Sequence, residues 1–208
     1  MDGVENGEKN TQVSGSLGQY WRKSRGSMVV LLVLRVLALF ATLTATLLMA
    51  LNKETKSVVL GIIGTSPVRV NIKAKFHHTP AFIFFVIINA VASFHNLLML
   101  VLDLFGHKMK MRGLRLLFTT LSDMGTLALL SAATGAATAM AELGKNGNSH
   151  AQWNKICDKF AKYCDRGGGA LIASYAAITF MAAIVVLSLI SLRKAPTNPS
   201  STVASTAA

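Results

Sequence analysis

Four separate blocks of apolar residues, each about 20 residues or longer, limit what this chain of 208 residues can fold into. One such block spans the roughly 30 Å hydrocarbon core of a bilayer as a helix, which satisfies its own backbone polar groups there. The composition agrees, because 52% of the residues are hydrophobic and only 14% are charged, whereas soluble domains carry about 25% charged residues. The sequence therefore predicts an all-α fold: an integral membrane antiparallel four-helix bundle.

The predicted membrane domain covers residues 28–192. Its spans are expected at about 28–51, 80–102, 114–141 and 167–192. The flanking segments, 1–27 and 193–208, are polar and rich in small residues, so we expect them to be disordered tails.

An even number of spans places both tails on one side of the membrane. Lys and Arg number ten on each side, so their totals do not decide the orientation. On the tail side, however, the cations are concentrated next to span ends, where the positive-inside rule has most force. On the other side they are dispersed among acidic residues through two longer loops. We therefore expect both termini to be cytoplasmic.

Two opposite charges fall inside the predicted spans, Arg35 in the first and Asp123 in the third. A charge at the centre of a membrane helix costs at least about 2.5 kcal/mol, so such residues usually face the protein interior and pair. Counted from the tail side at 1.5 Å per residue, Arg35 lies about 10 Å deep and Asp123 about 13 Å deep. Because the two spans run in the same direction, we predict an intramembrane ion pair with the arginine fork on the carboxylate.

His95 and Asn96 of the second span lie about 10 Å from the same membrane surface. They extend the expected ion pair into a polar layer that links three helices. One interpretation is that this layer fixes the helix packing; the alternative is a proton or ion relay in a small transporter or channel. A relay needs titratable groups across the whole bilayer, and the outer halves of the four spans contain none, which favours the structural interpretation.

The third span is rich in small residues. Ala132 and Ala136, like Gly135 and Ala139, are four residues apart, a spacing that lets helix backbones approach closely. Packing inside the bundle and an oligomer contact are both compatible with this pattern.

Cys157 and Cys164 lie in the second long loop, which we expect on the extracytoplasmic side, where a disulfide would persist. On a continuous helix, however, residues seven apart would be about 10 Å distant, beyond the roughly 7 Å limit for bridging. The pair is therefore either a disulfide with a turn between its members or two free thiols.

Motifs of catalysis and cofactor binding are not found in the sequence. We find no nucleophile elbow, Walker loop, dinucleotide fingerprint or HExxH, and the histidines lack a metal-ligand arrangement. The net charge of +12 comes from cations that flank apolar blocks rather than from a basic stripe interleaved with aromatic residues. We therefore expect no enzyme activity, cofactor, metal or nucleic acid, and the lipid bilayer as the main partner.

Several residues in the spans and loops stand in a characteristic order along the chain. They are Arg35 and Asp123 in the spans, the TPAF stretch of residues 79–82, and Gly147, Asn148, Ser149, His150, Trp153, Cys157 and Cys164 in the second loop. In this order, over about residues 28–192, the chain resembles the CASP-like (Casparian strip membrane domain-like) proteins, which are related to the MARVEL group.

The resemblance implies a non-enzymatic plasma-membrane scaffold. Such a protein would associate with itself, as a homodimer, or with related four-span proteins, organise a membrane subdomain and recruit extracellular wall-modifying proteins. Arg35 and Asp123 would then be the pair needed for folding and assembly. The first outer loop contains the basic stretch VNIKAKFHH instead of the acidic and aromatic signature of the founding members, which favours a general scaffold role.

Overall fold

A computed structural model describes residues 26, 28–63, 66–105 and 112–193 of the chain. Its four long helices are α1 (Met28–Ala50), α2 (Pro80–Phe105), α3 (Arg112–Asn146) and α4 (Ala161–Arg193). All four are long and apolar enough to cross a bilayer and they pack against one another, so the predicted all-α membrane bundle is confirmed. The two predicted disordered tails fall outside the described residues, apart from residues 26 and 193.

Large apolar side chains cover the outside of the bundle as well as its interior. Phe118 on α3 and Ile172 on α4 are 71% and 73% exposed, and Phe94 on α2 is 67% exposed. In a water-soluble bundle the outward face of each helix would be polar. This surface is therefore suited to contact with acyl chains.

The connection between α1 and α2 forms a β-hairpin, where the sequence had indicated only a loop. Strand β1 (Lys53–Ile63) pairs antiparallel with β2 (Ser66–Lys75), and a short 3-10 turn over Phe76–His78 leads into α2. Valine and isoleucine are frequent in both strands, and such residues favour extended backbone. A two-stranded sheet is only marginally stable alone, so its attachment to the bundle matters.

That attachment is made at the base of the hairpin. The Asn52 side-chain amide donates to the Tyr163 backbone oxygen over 2.8 Å, and the Tyr163 backbone N–H donates to the Glu54 carboxylate over 2.9 Å. Asn52 is 1% exposed. The hairpin is therefore fixed to the first turn of α4, at the end of the bundle opposite to Met28 and Arg193.

Two apolar clusters fill the bundle interior. The inner cluster, nearer the termini, comprises Ala38, Ala92, Leu130, Ala177, Met181 and Ile184. The outer cluster comprises Ala45, Met49, Phe82, Phe85, Ala137, Ala170 and Leu171. Half or nearly half of each cluster is alanine, which lets the helix axes approach closely where lipid supplies no hydrophobic driving force.

Candidate functional site

The Arg35 guanidinium on α1 forms a bidentate ion pair with the Asp123 carboxylate on α3. Nη1 donates to Oδ1 over 3.1 Å and Nη2 donates to Oδ2 over 2.8 Å. Arg35 is 3% exposed and Asp123 is fully buried. Both carboxylate oxygens are thus engaged by one planar fork, a geometry that a single lysine ammonium cannot reproduce.

His95 brings α2 into the same contact. Its Nε2 lies 2.8 Å from Asp123 Oδ1, and its Nδ1 lies 3.5 Å from the Ser122 hydroxyl. The carboxylate of Asp123 therefore connects three helices through two side chains. Asn96 is buried as well, but its amide donates to the Ala92 oxygen of its own helix over 2.9 Å, so it does not join the charged group.

A second carboxylate, which the sequence interpretation had left in the α2–α3 connection, also contacts Arg35. Asp103 Oδ2 lies 3.0 Å from Arg35 Nε. The Nε–H does not point at this oxygen well enough for a hydrogen bond, so the contact is electrostatic. Asp103 Oδ1 in turn lies 3.6 Å from Nη2 of Arg115 on α3. Asp103 lies seven residues, or about two helical turns, beyond the buried Asn96. A predicted second span that extended past residue 102 would therefore have placed Asp103 on the same inward face as Asn96.

We name Arg35, His95, Asp103, Arg115 and Asp123 the charge layer. Its two arginines and its two carboxylates are equal in number. Asp103 and Arg115 have side chains 34% and 30% exposed, whereas those of Arg35 and Asp123 are 4% and 0% exposed. The charge layer therefore extends from the C-terminal end of α2 and the N-terminal end of α3 into the buried centre of the bundle.

Neutral side chains form a second polar layer farther along the helices. Thr42 on α1 lies 2.9 Å from Ser93 on α2, and Ser174 on α4 lies 3.1 Å from Asn89 Oδ1 and 2.8 Å from Thr134 on α3. All five are buried. This hydroxyl layer links all four helices, whereas the charge layer links three.

On α1 and α3, residues of the inner apolar cluster lie between the two polar layers. Along α1 its Ala38 lies between Arg35 and Thr42, and along α3 its Leu130 lies between Asp123 and Thr134. Both cluster residues are fully buried. Chemically, such an arrangement holds helices in register through polar contacts, with apolar residues between the charged and the neutral groups on α1 and α3.

The loop after α3 shows why glycine stands at position 147. Gly147 has φ +68°, and its N–H donates to the Leu143 oxygen over 2.9 Å, which is a helix-terminating left-handed cap. A Cβ at this position would come within 2.6 Å of the Trp153 backbone oxygen. Glycine is therefore required both by backbone conformation and by space.

The next residues of the predicted loop motif close a tight turn. Asn148 and Trp153 exchange backbone hydrogen bonds of 3.0 and 2.9 Å, and the Asn148 side chain accepts from the His150 N–H over 3.0 Å. The side chains of Ser149, His150 and Trp153 are exposed, Trp153 by 55%. The motif thus combines turn-forming residues with an exposed indole ring.

Cys157 and Cys164 are joined by a disulfide, with their Cα atoms 5.6 Å apart. The chain turns over residues 157–159 and starts α4 only at Ala161. The turn brings the two cysteines closer than a continuous helix would. The bridge ties the end of the loop to the first turn of α4.

The small residues of α3 divide between two faces. Ala133, Thr134 and Ala137 are buried in the bundle. The opposite face, which we call the small-residue face, comprises Gly125, Ala128, Ala132, Gly135, Ala136 and Ala139, and all of these are exposed. Both four-residue spacings recognised in the sequence therefore lie on the outside of the bundle.

Comparison with known proteins places this architecture in a family. The family model described as the Casparian strip membrane protein domain matches residues 24–180 of the chain. The chain belongs to the CASP-like family. Membership confirms the resemblance carried by the residues above and identifies a multi-pass membrane protein of this family.

CASP-like relatives match most of the chain. CASP-like protein 1B2 of Populus trichocarpa is 58% identical over 174 residues, covering 84% of this chain and 87% of its own length. CASP-like protein 1B1 of Arabidopsis thaliana is 54% identical over 163 residues, covering 78% and 83%. CASP-like protein 1B2 of Vitis vinifera is 53% identical over 163 residues, covering 78% and 80%. No solved structure matches this chain.

Proposed function

We propose that this protein is a non-enzymatic plasma-membrane scaffold that associates with copies of itself, or with related four-span proteins, and organises a membrane subdomain. The observation that carries the proposal is the division of α3 into two faces. One face is fixed inside the bundle by Asp123, Leu130 and Ala137, while the small-residue face is left uncovered. A lipid-facing surface without bulky side chains suits close contact with another helix.

The charge layer supports the same proposal by making α3 rigid. Arg35 holds Asp123 with two hydrogen bonds and His95 adds a third contact, so three helices are tied at one level. Breaking a buried ion pair by removing one partner costs several kcal/mol. A helix held in this way presents its outer face in one fixed orientation, and such preorganisation favours association.

The same contacts argue against use of the layer for transport. A relay needs a path between the charge layer and the far surface. Along α1 and α3 that interval contains Ala38 and Leu130 of the inner apolar cluster, and both are fully buried. We therefore propose that the ionisable groups hold the helices together and do not pass ions.

The disulfide supports an orientation with both termini in the cytoplasm. Disulfides persist in oxidising compartments and are rare in the cytosol. Cys157–Cys164 lies beside the base of the hairpin, through Tyr163, on the side opposite the termini. Placement of this side outside the plasma membrane is therefore part of the proposal.

Recruitment of wall-modifying proteins is the finer part of the proposal. Trp153 and Ile156 are 55% and 48% exposed in the loop between α3 and α4. Exposed aromatic and aliphatic side chains of this kind often anchor protein contacts. We assign this loop as the attachment surface for such partners.

Self-association can be tested by resonance energy transfer between labelled copies in liposomes of varied protein-to-lipid ratio. We expect wild-type protein to associate and Ala136→Leu on the small-residue face to weaken association by at least about tenfold, equivalent to about 1.4 kcal/mol. Ala90→Leu is the matched control, because Ala90 is an exposed alanine on α2. A wild-type protein that stays monomeric at every ratio, or equal effects of both variants, would contradict the proposal.

The same liposomes test the transport alternative. The scaffold proposal predicts no selective ion or solute flux above that of empty vesicles. Selective flux that is abolished by Asp123→Asn would overturn it and would favour a channel or transporter instead.

A further inference from the structure

The register of the hairpin places several polar side chains on one face of its base. Lys53 pairs with Lys75, Thr55 with Lys73, and Ser57 with Asn71. Directly opposite residues share a face, and residues two apart along a strand point to the same side. We call these six residues, Lys53, Thr55, Ser57, Asn71, Lys73 and Lys75, the cationic face.

The cationic face carries charge that the protein does not neutralise. Lys53 and Lys73 are exposed and Lys75 is half-buried. Among the described residues, none of these three lysines forms an ion pair. The nearby acid, Glu54, belongs to the other face of the strand and is engaged by Lys56 at 3.5 Å and by the Tyr163 N–H.

The lysines are also arranged so that they repel one another. Lys53 and Lys75 are directly opposite, with Cβ atoms about 5 Å apart, and like charges in such a pair destabilise a sheet. Lys73 lies two residues before Lys75 on β2, at a spacing of about 6.6 Å along the strand. An anionic group bound between these ammonium groups would remove the repulsion, so the face is better suited to an anion than to water alone.

The other three residues of the face narrow the class of anion. Thr55, Ser57 and Asn71 are exposed side chains that donate and accept hydrogen bonds. Ammonium, hydroxyl and amide groups therefore lie side by side at the base of the hairpin. This combination matches a ligand that carries both negative charges and hydroxyl groups.

We propose that the cationic face binds a linear polysaccharide that carries carboxylates at regular intervals. The ammonium groups of the two strands would engage neighbouring carboxylates, while the hydroxyl and amide groups beside them would bond to sugar hydroxyls. The hairpin is fixed to the first turn of α4, beside the Cys157–Cys164 disulfide. The ligand therefore lies on the disulfide side of the membrane.

The test uses the full chain in nanodiscs of neutral phospholipid and a defined oligogalacturonate as the probe, with the dissociation constant measured by biolayer interferometry. We expect the triple variant Lys53→Gln/Lys73→Gln/Lys75→Gln to bind at least about tenfold more weakly, since each exposed ion pair contributes modestly. Rising salt should weaken wild-type binding, because exposed charges are screened.

The charge-matched control is Lys56→Gln/Lys155→Gln/Lys159→Gln. It also removes three exposed cations on the same side of the membrane, but none of them belongs to the cationic face. We expect its binding to stay within about twofold of wild type. The triple variant should have an unfolding temperature equal to or above that of the wild type, because it removes a like-charge pair. The single variant Lys73→Gln, at an exposed position, should also lose binding, but less than the triple variant.

Several outcomes would overturn the proposal. They are unchanged binding by the triple variant, an equal loss in the control, and equal wild-type affinity for the fully methyl-esterified, uncharged oligosaccharide. Lysine-dependent binding to anionic vesicles without binding to the oligosaccharide would assign the face to a membrane surface instead. Self-association through α3 is read by energy transfer, so its failure is distinguishable from loss of polysaccharide binding.

Discussion

Replacement of Arg35 by alanine removes the centre of the charge layer. Asp123 would lose both hydrogen bonds of the fork and keep only the contact with His95, while remaining fully buried. Asp103 would lose a cation at 3.0 Å but keep Arg115 at 3.6 Å. The substitution therefore leaves one buried carboxylate poorly compensated and a second, half-exposed carboxylate with a remaining partner.

The expected cost follows from that difference. Removing one partner of a buried ion pair costs about 3–5 kcal/mol. Because His95 still contacts Asp123, we expect the lower end, about 3 kcal/mol, which is about a hundredfold in the folding equilibrium constant. Arg35→Lys retains the charge but loses the fork, so we expect an intermediate loss of about 1.5 kcal/mol.

The measurement is reversible unfolding in detergent micelles, together with the amount of intact protein that reaches the plasma membrane of plant cells. Arg166→Ala is the control, because Arg166 is an exposed arginine on α4 and its loss should change stability by less than about 0.5 kcal/mol. In the double variant Arg35→Met/Asp123→Leu both charges are replaced by apolar groups. It should recover at least about 1 kcal/mol relative to Arg35→Ala.

Two results would refute this reasoning. If Arg35→Ala cost no more than Arg166→Ala and the variant assembled normally at the cell surface, the ion pair would not stabilise the bundle. If the double variant were less stable than Arg35→Ala, burial of an unpaired carboxylate would not be the source of the loss.

Three further predictions concern the loop and the hydroxyl layer. Gly147→Ala should lower the free energy of unfolding by at least about 1–2 kcal/mol because of its left-handed backbone and the close Trp153 oxygen. The control Gly144→Ala, which places a methyl group in open space on α3, should be neutral or stabilising. Equal unfolding midpoints for the two variants would contradict the prediction. Replacing both cysteines by serine should lower the free energy of unfolding by about 2–3 kcal/mol for a loop of this length. The measurement is denaturation with and without reductant. A destabilisation by reductant that persists in the variant would exclude the disulfide as its cause. Ser174→Ala should lower the free energy of unfolding by about 1 kcal/mol because the buried Asn89 Oδ1 loses its donor. An unchanged unfolding midpoint would show that this hydrogen bond is not made in the membrane.

The main features of the fold could be predicted because they depend on local chemistry. Four apolar segments with only isolated charges require membrane helices whatever their neighbours are. Arg35 and Asp123 were recognised as candidates for pairing because lone membrane charges need a partner, and their depths could be counted along each helix.

Other parts of the site were missed for identifiable reasons. Asp103 was placed in a connecting loop because α2 was expected to end at residue 102, whereas the helix continues to Phe105. Asn89 and Ser93 are polar residues within the second span, but hydroxyl and amide groups can bond to the preceding turn of their own helix. Sequence alone therefore does not show which of them reach a neighbouring helix.

Four features could be read from the amino-acid sequence: the number of membrane helices, their approximate limits, the two buried charges that require pairing, and the family. Each of these follows from the composition of one segment, or from residues recognised in order along the chain. Three other features became apparent in the folded protein alone. His95 rather than Asn96 reaches the carboxylate, the small-residue face of α3 points outward, and the basic first loop is a hairpin with a cationic face. The physical reason is that these features depend on helix rotation and strand register, which are set by packing among distant segments.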